Sequence, residues 1–108
     1  MATIFLANFG EENGGRLAAF LRAQRHETYM ARDEHSFVEM KRRSGLSPDL
    51  VIMDASAHED RVRRLANELG KYRIQHGPKP MILCISRVYR GPRFEIELER
   101  KGIRLLYV

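Results

Sequence analysis

The sequence predicts an α/β domain built on a parallel sheet, and three features predict it. The run Leu50-Val51-Ile52-Met53 shows no polar alternation, follows Pro48 and ends on Asp54. A strand of that composition is buried on both faces, as in a parallel sheet. Met81 to Ile85 repeats the pattern after Pro80. Between them, Val62, Leu65, Ala66 and Leu69 form one apolar stripe at helical spacing. Strand–helix alternation of this kind calls for right-handed crossovers. A carboxylate at the C-terminal end of such a strand lies where open α/β sheets place their chemistry, so Asp54 is the first candidate functional residue.

The elements follow in order. Thr3 to Ala7 reads as the first strand, and Asn8 to Gly15 as a turn-rich corner. In the amphipathic segment Arg16 to Gln24, Leu17, Phe20 and Leu21 mark one helical face. Gly14 and Gly15 are poor helix formers, so this helix starts weakly, around Glu11 or later. Thr28 to Ala31 is a second short strand. Asp33 is placed to cap a helix running to about Arg43, which Gly45 ends. After the Asp54 strand, Ser56 and Glu59 have the spacing of a capping box, and Gly70 supplies a helix stop. Lys71 to Lys79 is then a polar connection.

The last quarter carries two patterns. Phe94 to Glu99 alternates as a strand would. Pro92 suits a first helical position, Phe94 and Leu98 are one turn apart, and Gly102 suits the residue after a helix. The helix is preferred because the alternation elsewhere calls for a crossover; a terminal hairpin turning at Arg100-Lys101-Gly102 is the alternative. Ile103 to Val108 is the fifth strand in both cases.

Composition bounds the function. A chain of 108 residues, 44% hydrophobic and 31% charged, makes one domain, 1–108, with a real core. Its longest apolar runs are four or five residues, too short to span a bilayer. No charged-then-apolar leader is seen, so a cytoplasmic protein is the default. The single Cys84 excludes an internal disulfide or a cysteine metal cluster and reads as a small core residue. The net charge of +5 hides an asymmetry: residues 1–60 carry −3 and residues 61–108 carry +8. The basic half could attract nucleic acid, an acidic protein or anionic lipid, or serve as a solvated face.

On Thr3–Ala7, Leu17–Gln24, Tyr29–Asp33, Pro80–Ser86 and above all Pro48–Asp54, the chain resembles the receiver domain of bacterial response regulators. The resemblance covers nearly all of the sequence. It implies a flavodoxin-like three-layer sandwich whose five parallel strands run in the order 2-1-3-4-5, and a phosphoacceptor role at Asp54. It also implies Mg²⁺ on an acidic pair after strand one, with a hydroxyl and a lysine on the phosphoryl oxygens. Ser86 can stand for the hydroxyl. The acidic pair falls on Asn8 and Phe9, the residue after the hydroxyl is Arg87, and the lysine would fall on or after Val108. Mg²⁺ prefers carboxylate oxygens, so this reads as an atypical member with no cofactor. Mg²⁺ enters only in the alternative, a phosphoacceptor with an unusual metal set. An ion pair from Arg87, or from Arg16, to Asp54 is the expected substitute for the missing groups.

The expected function is therefore signalling by protein–protein contact, without catalysis and independent of phosphorylation. Arg87, Tyr89, Arg90, Arg93 and Arg104 are the candidate contact surface. The partner is another protein or a second copy, the latter forming a homodimer over the sheet face that the family's last helix would cover. A small basic nucleic-acid-associated protein is the other-class alternative, since arginines interleaved with tyrosines suit phosphate and base stacking. The corner Asn8 to Arg16 lacks the Lys-Ser/Thr of a P-loop. His26, His35, His58 and His76 show no metal spacing, and no Ser-His-Asp or Cys-His arrangement can be assembled.

Overall fold

The computed structural model describes residues 1–31, 34–45, 48–56, 59–76 and 81–108. Five strands alternate with four helices: β1 Thr3–Ala7, α1 Glu11–Ala23, β2 Glu27–Ala31, α2 Glu34–Ser44, β3 Leu50–Asp54, α3 Glu59–His76, β4 Met81–Ser86, α4 Pro92–Arg100 and β5 Ile103–Tyr107. All pairs are parallel and the order is β2-β1-β3-β4-β5. β1 and β3 are the most enclosed, which is why their sequences are continuously apolar. Asp49 fixes their register: its carboxylate accepts from Thr3 N–H at 2.8 Å and its own N–H donates to the Thr3 carbonyl at 2.8 Å.

The two faces of the sheet are filled unequally. On one, α2, α3 and α4 bury Phe37, Val62, Leu65, Ala66, Leu69, Phe94 and Leu98 against Phe5, Val51, Met53, Ile82, Cys84 and Ile103. On the other, α1 alone among the described helices contributes, with Ala18 buried against Ile4, Leu6 and Ile52. Here Met81 is 64% exposed and Leu106 51%, so among the described residues this face is less covered over β4 and β5, although Ile85 still packs against the α1-side cluster. No described helix is long and apolar enough to cross a membrane.

Phe94 and Leu98 decide the last quarter. Both are buried one turn apart on α4, Pro92 stands at its start, and Gly102 after it has φ 75°. The alternating Glu95, Glu97 and Glu99 are charges distributed around a helix rather than the outward face of a strand. Glu97 meets Arg63 of α3 at 3.2 Å, and Arg63 also reaches Glu59 at 3.1 Å, joining the two helices.

Several local expectations change. The stop at Gly70 is not observed, since α3 runs on to His76. An interior glycine costs a helix only about 1 kcal/mol, and Gly70 takes no left-handed backbone. An added Cβ there would lie 3.8 Å from Lys101, an ordinary contact. Ser56 does not box the start of α3, which opens at Glu59; its hydroxyl is taken by the N–H of Arg87 at 3.0 Å. Phe20 is 61% exposed rather than part of the buried face of α1, which turns Gly14 and Ala18 inward instead. That helix starts at Glu11 despite its glycines, because Gly14 is a contact point. A Cβ on it would lie 2.9 Å from Phe9 Cβ and 2.5 Å from Met30 Cε. The expected cap Asp33, and His58, lie outside the described residues.

Candidate functional site

The corner at the C-terminal ends of β1, β3 and β4 collects most of the predicted residues. Asp54 ends β3 half-buried, and its Oδ1 accepts from Ser56 N–H at 2.9 Å. This is an Asx turn, the local bond that a short carboxylate forms two residues on. The spacing Asp54-Ala55-Ser56 carried that signal. Asn8 ends β1 with φ 68°, a left-handed conformation that asparagine tolerates better than most residues. Its side-chain amide donates to the Asp54 carbonyl at 3.4 Å, and its backbone N–H to Ala31 at 2.9 Å. Asn8 thus ties three strand ends together through neutral bonds.

Phe9 is 8% exposed and belongs to the core with Leu6, Ala18 and Ile52. It stands at the position where the family resemblance expects a second carboxylate. Ser86 is fully buried, and its hydroxyl donates to the Val88 carbonyl at 2.7 Å and accepts the Val88 N–H at 3.1 Å. That oxygen is committed to its own turn. The corner offers Mg²⁺ one carboxylate, that of Asp54, and one neutral amide oxygen, that of Asn8, where the resemblance expects three carboxylates. Among the described residues no group of three acidic, histidine or cysteine side chains is placed to hold a metal ion.

A shallow cleft of about 130 Å³ opens beside Asp54, lined by Phe9, Asn13, Asp54, Ser56, Ile85, Arg87 and Val108. Arg87 is exposed at its mouth. The expected ion pair to Asp54 does not form: among the described residues neither Arg87 nor Arg16 lies within 4.0 Å of it, and Arg16 pairs with Glu12 at 2.9 Å. The Arg87 backbone holds the corner instead, through Ser56 Oγ. Sequence reasoning missed a second arginine brace. Arg90 Nε donates to the Ala55 carbonyl at 2.9 Å, and its guanidinium lies 5.8 Å from the Phe94 ring centre. Cys84, on the next strand, is fully buried; burial and then the charge of Asp54 push its thiol up to about 12.

This architecture is shared with solved proteins. Chemotaxis protein CheY4 of Vibrio cholerae superposes with a TM-score of 0.77 over 100% of this chain and 85% of its own, at 15% identity. The chain has the receiver fold. A pilus assembly-related protein of Burkholderia pseudomallei gives 0.72 at 16% identity, over 99% of this chain and 78% of that one. NtrX of Brucella abortus, solved with ADP, gives 0.73 at 20% identity over 98% of this chain and 22% of its own. No family model matches the sequence, and no curated protein matches it.

Within the receiver fold, the predicted contact residues do not form one group. Arg87, Tyr89 and Arg93 are exposed around the β4–α4 connection. Arg90 is partly engaged in bracing the corner. Arg104 alternates with Ile103 and Leu105, whose side chains enter the α4-side core, so its own side chain lies toward the α1 face. Tyr107 joins the first group: its ring lies 5.5 Å from that of Tyr89. Partial burial, then Glu95 beside it, push its phenol above the ordinary value.

Proposed function

We propose that this chain is an atypical receiver-like domain of bacterial two-component-type signalling. It acts by protein–protein contact, without catalysis and without phosphorylation of Asp54. One observation supports the reading: the Asp54 corner has the receiver shape, but among the described residues its neighbouring groups are engaged with one another and bring no second carboxylate or cation to Asp54. Ser56 N–H binds one oxygen of the Asp54 carboxylate, Val88 engages the Ser86 hydroxyl, and Phe9 stands as a buried ring where the family resemblance expects a carboxylate. Transfer of a phosphoryl group needs charge neutralisation by a metal or cation at that point. Incubation with acetyl phosphate and Mg²⁺, followed by intact mass, should leave the mass unchanged. Gain of one phosphoryl group, lost in Asp54→Ala, would establish the phosphoacceptor alternative.

The contact surface is Arg87, Tyr89 and Arg93 with Tyr107, and the partner is a protein with an acidic face. A positive, aromatic-bearing patch of this kind suits hot-spot chemistry, where tyrosine and arginine dominate. Tyr89→Ala with Arg93→Glu should abolish capture of the partner while leaving the fold intact. Capture that vanishes on nuclease treatment would point to nucleic acid. Self-association is the second reading, favoured by the exposed Met81 and Leu106 on the α1 side; a monomer by sedimentation at micromolar concentration would exclude it.

A further inference from the structure

The two edges of the sheet are finished differently. On β2, Glu27 N–H and the Ala31 carbonyl bond toward β1, so the alternate residue Thr28 points its main chain outward. Its carbonyl is capped by Arg22 Nη2 at 2.7 Å. On β5, Val108 N–H donates to the Ser86 carbonyl, so residues 104, 106 and 108 face β4. The main-chain groups of Leu105 and Tyr107 therefore face outward, and among the described residues they have no partner. An uncapped, apolar edge is a template for another strand.

That edge floors a groove of about 400 Å³, lined by Glu95, Glu99, Gly102, Ile103, Arg104 and Leu105. Its helical wall carries Glu95 and Glu99 one turn apart on α4. Glu95 lies beside the Tyr107 phenol, and neither it nor Glu99 forms an ion pair within 4.0 Å among the described residues, whereas the neighbouring Glu97 is held by Arg63 and Lys101. A helix beside an open strand edge is the geometry in which extended peptides add to a sheet: the main chain supplies affinity and alternate side chains supply specificity.

We propose that the β5 edge is a strand-addition site for an extended protein segment with lysine or arginine at every second position. The basic side chains face Glu95 and Glu99. The intervening residues face the α1 side, beside Arg104 and Leu106, where apolar or acidic groups fit. A second copy suits the site less well. Pairing β5 with β5 about a twofold axis puts both α4 helices on the same side of the joint, with four carboxylates facing one another. The site meets the Arg87–Tyr89–Arg93 surface at Tyr107, but it uses the main chain of that residue rather than its ring, so Tyr89→Ala with Arg93→Glu should leave peptide binding at β5 unaltered and either reading can fail without the other.

The test uses the ¹⁵N-labelled chain and two synthetic peptides of about eight residues, long enough to pair along the strand. One alternates lysine and valine, the other glutamate and valine. The lysine peptide should slow solvent exchange of the Leu105 and Tyr107 amides and leave that of Leu106, which faces β4, unaltered. It should bind about tenfold more tightly than the glutamate peptide, the preference expected of two half-exposed charge pairs. Glu95→Gln with Glu99→Gln should erase that preference. Equal binding of the two peptides, or protection located elsewhere, overturns the proposal. So does a peptide-free dimer in which Leu105 and Tyr107 are already protected.

Discussion

At the scale of single residues, the corner is built from groups that hold one another. Asp54 gives its oxygen to Ser56 N–H, Ser56 gives its oxygen to Arg87 N–H, and Arg90 grips the Ala55 carbonyl between them. Removing the carboxylate in Asp54→Ala leaves a partly buried N–H without an acceptor, which costs about 1 kcal/mol. Asp54→Asn retains an acceptor and should cost less; denaturant midpoints measured side by side separate the two. Cys84 gives a second prediction. Its raised pKa means that the folded state keeps a proton that the unfolded chain releases as pH passes 9.0. Stability from this group is therefore complete below pH 9.0 and declines between 9.0 and about 12, by up to about 1.4 kcal/mol per pH unit. Cys84→Ala should flatten that part of the stability–pH curve. In the folded protein at neutral pH the thiol should resist disulfide reagents that label it at once in denaturant.

At the scale of elements, α1 shows how a sequence rule and a contact can oppose each other. Gly14 and Gly15 are equally poor helix formers, yet an added Cβ is blocked by Phe9 at the first and meets open space at the second. Gly15→Ala should stabilise the protein by about 0.5–1 kcal/mol through helix propensity alone. Gly14→Ala should destabilise it by about 1–2 kcal/mol, because overpacking outweighs the same gain; thermal melts of both check the signs. The same opposition explains what was legible in the sequence. β3, β4 and the Val62–Leu69 stripe were readable because burial alone dictates their residues. Phe20 is misplaced because the buried stripe of α1 runs through Gly14, Leu17, Ala18 and Leu21, where small residues rather than apolar bulk mark the closest contact. The continuation of α3 past Gly70 was hidden because a glycine's cost is smaller than the gain from packing a long helix. At the candidate site, Asp54 and its corner could be located from strand order. The bonds that occupy Ser56, Ser86 and Arg90 depend on loop geometry that no spacing in the sequence encodes, apart from the Asx turn.

At the scale of the whole molecule, the sheet divides the core into a thick side and a thin one. Leu65, fully buried on the inner face of α3, should cost about 2–5 kcal/mol when cut to alanine. Leu17, only partly covered on the α1 side, should cost less than half as much, and a urea series on the two variants measures the difference. The reciprocal bonds between Asp49 and Thr3 reach across the chain as well as across the sheet. They place β1 beside β3, so β1 lies at the interior of the sheet. During synthesis β1, α1 and β2 can assemble early as a local unit, while the other edge of β1 waits for residues 50–54 to emerge. Over that interval the nascent chain carries an apolar, unpaired strand edge, the kind of surface that draws chaperones or aggregates. The pause ends only when Asp49 and the strand behind it arrive to close it.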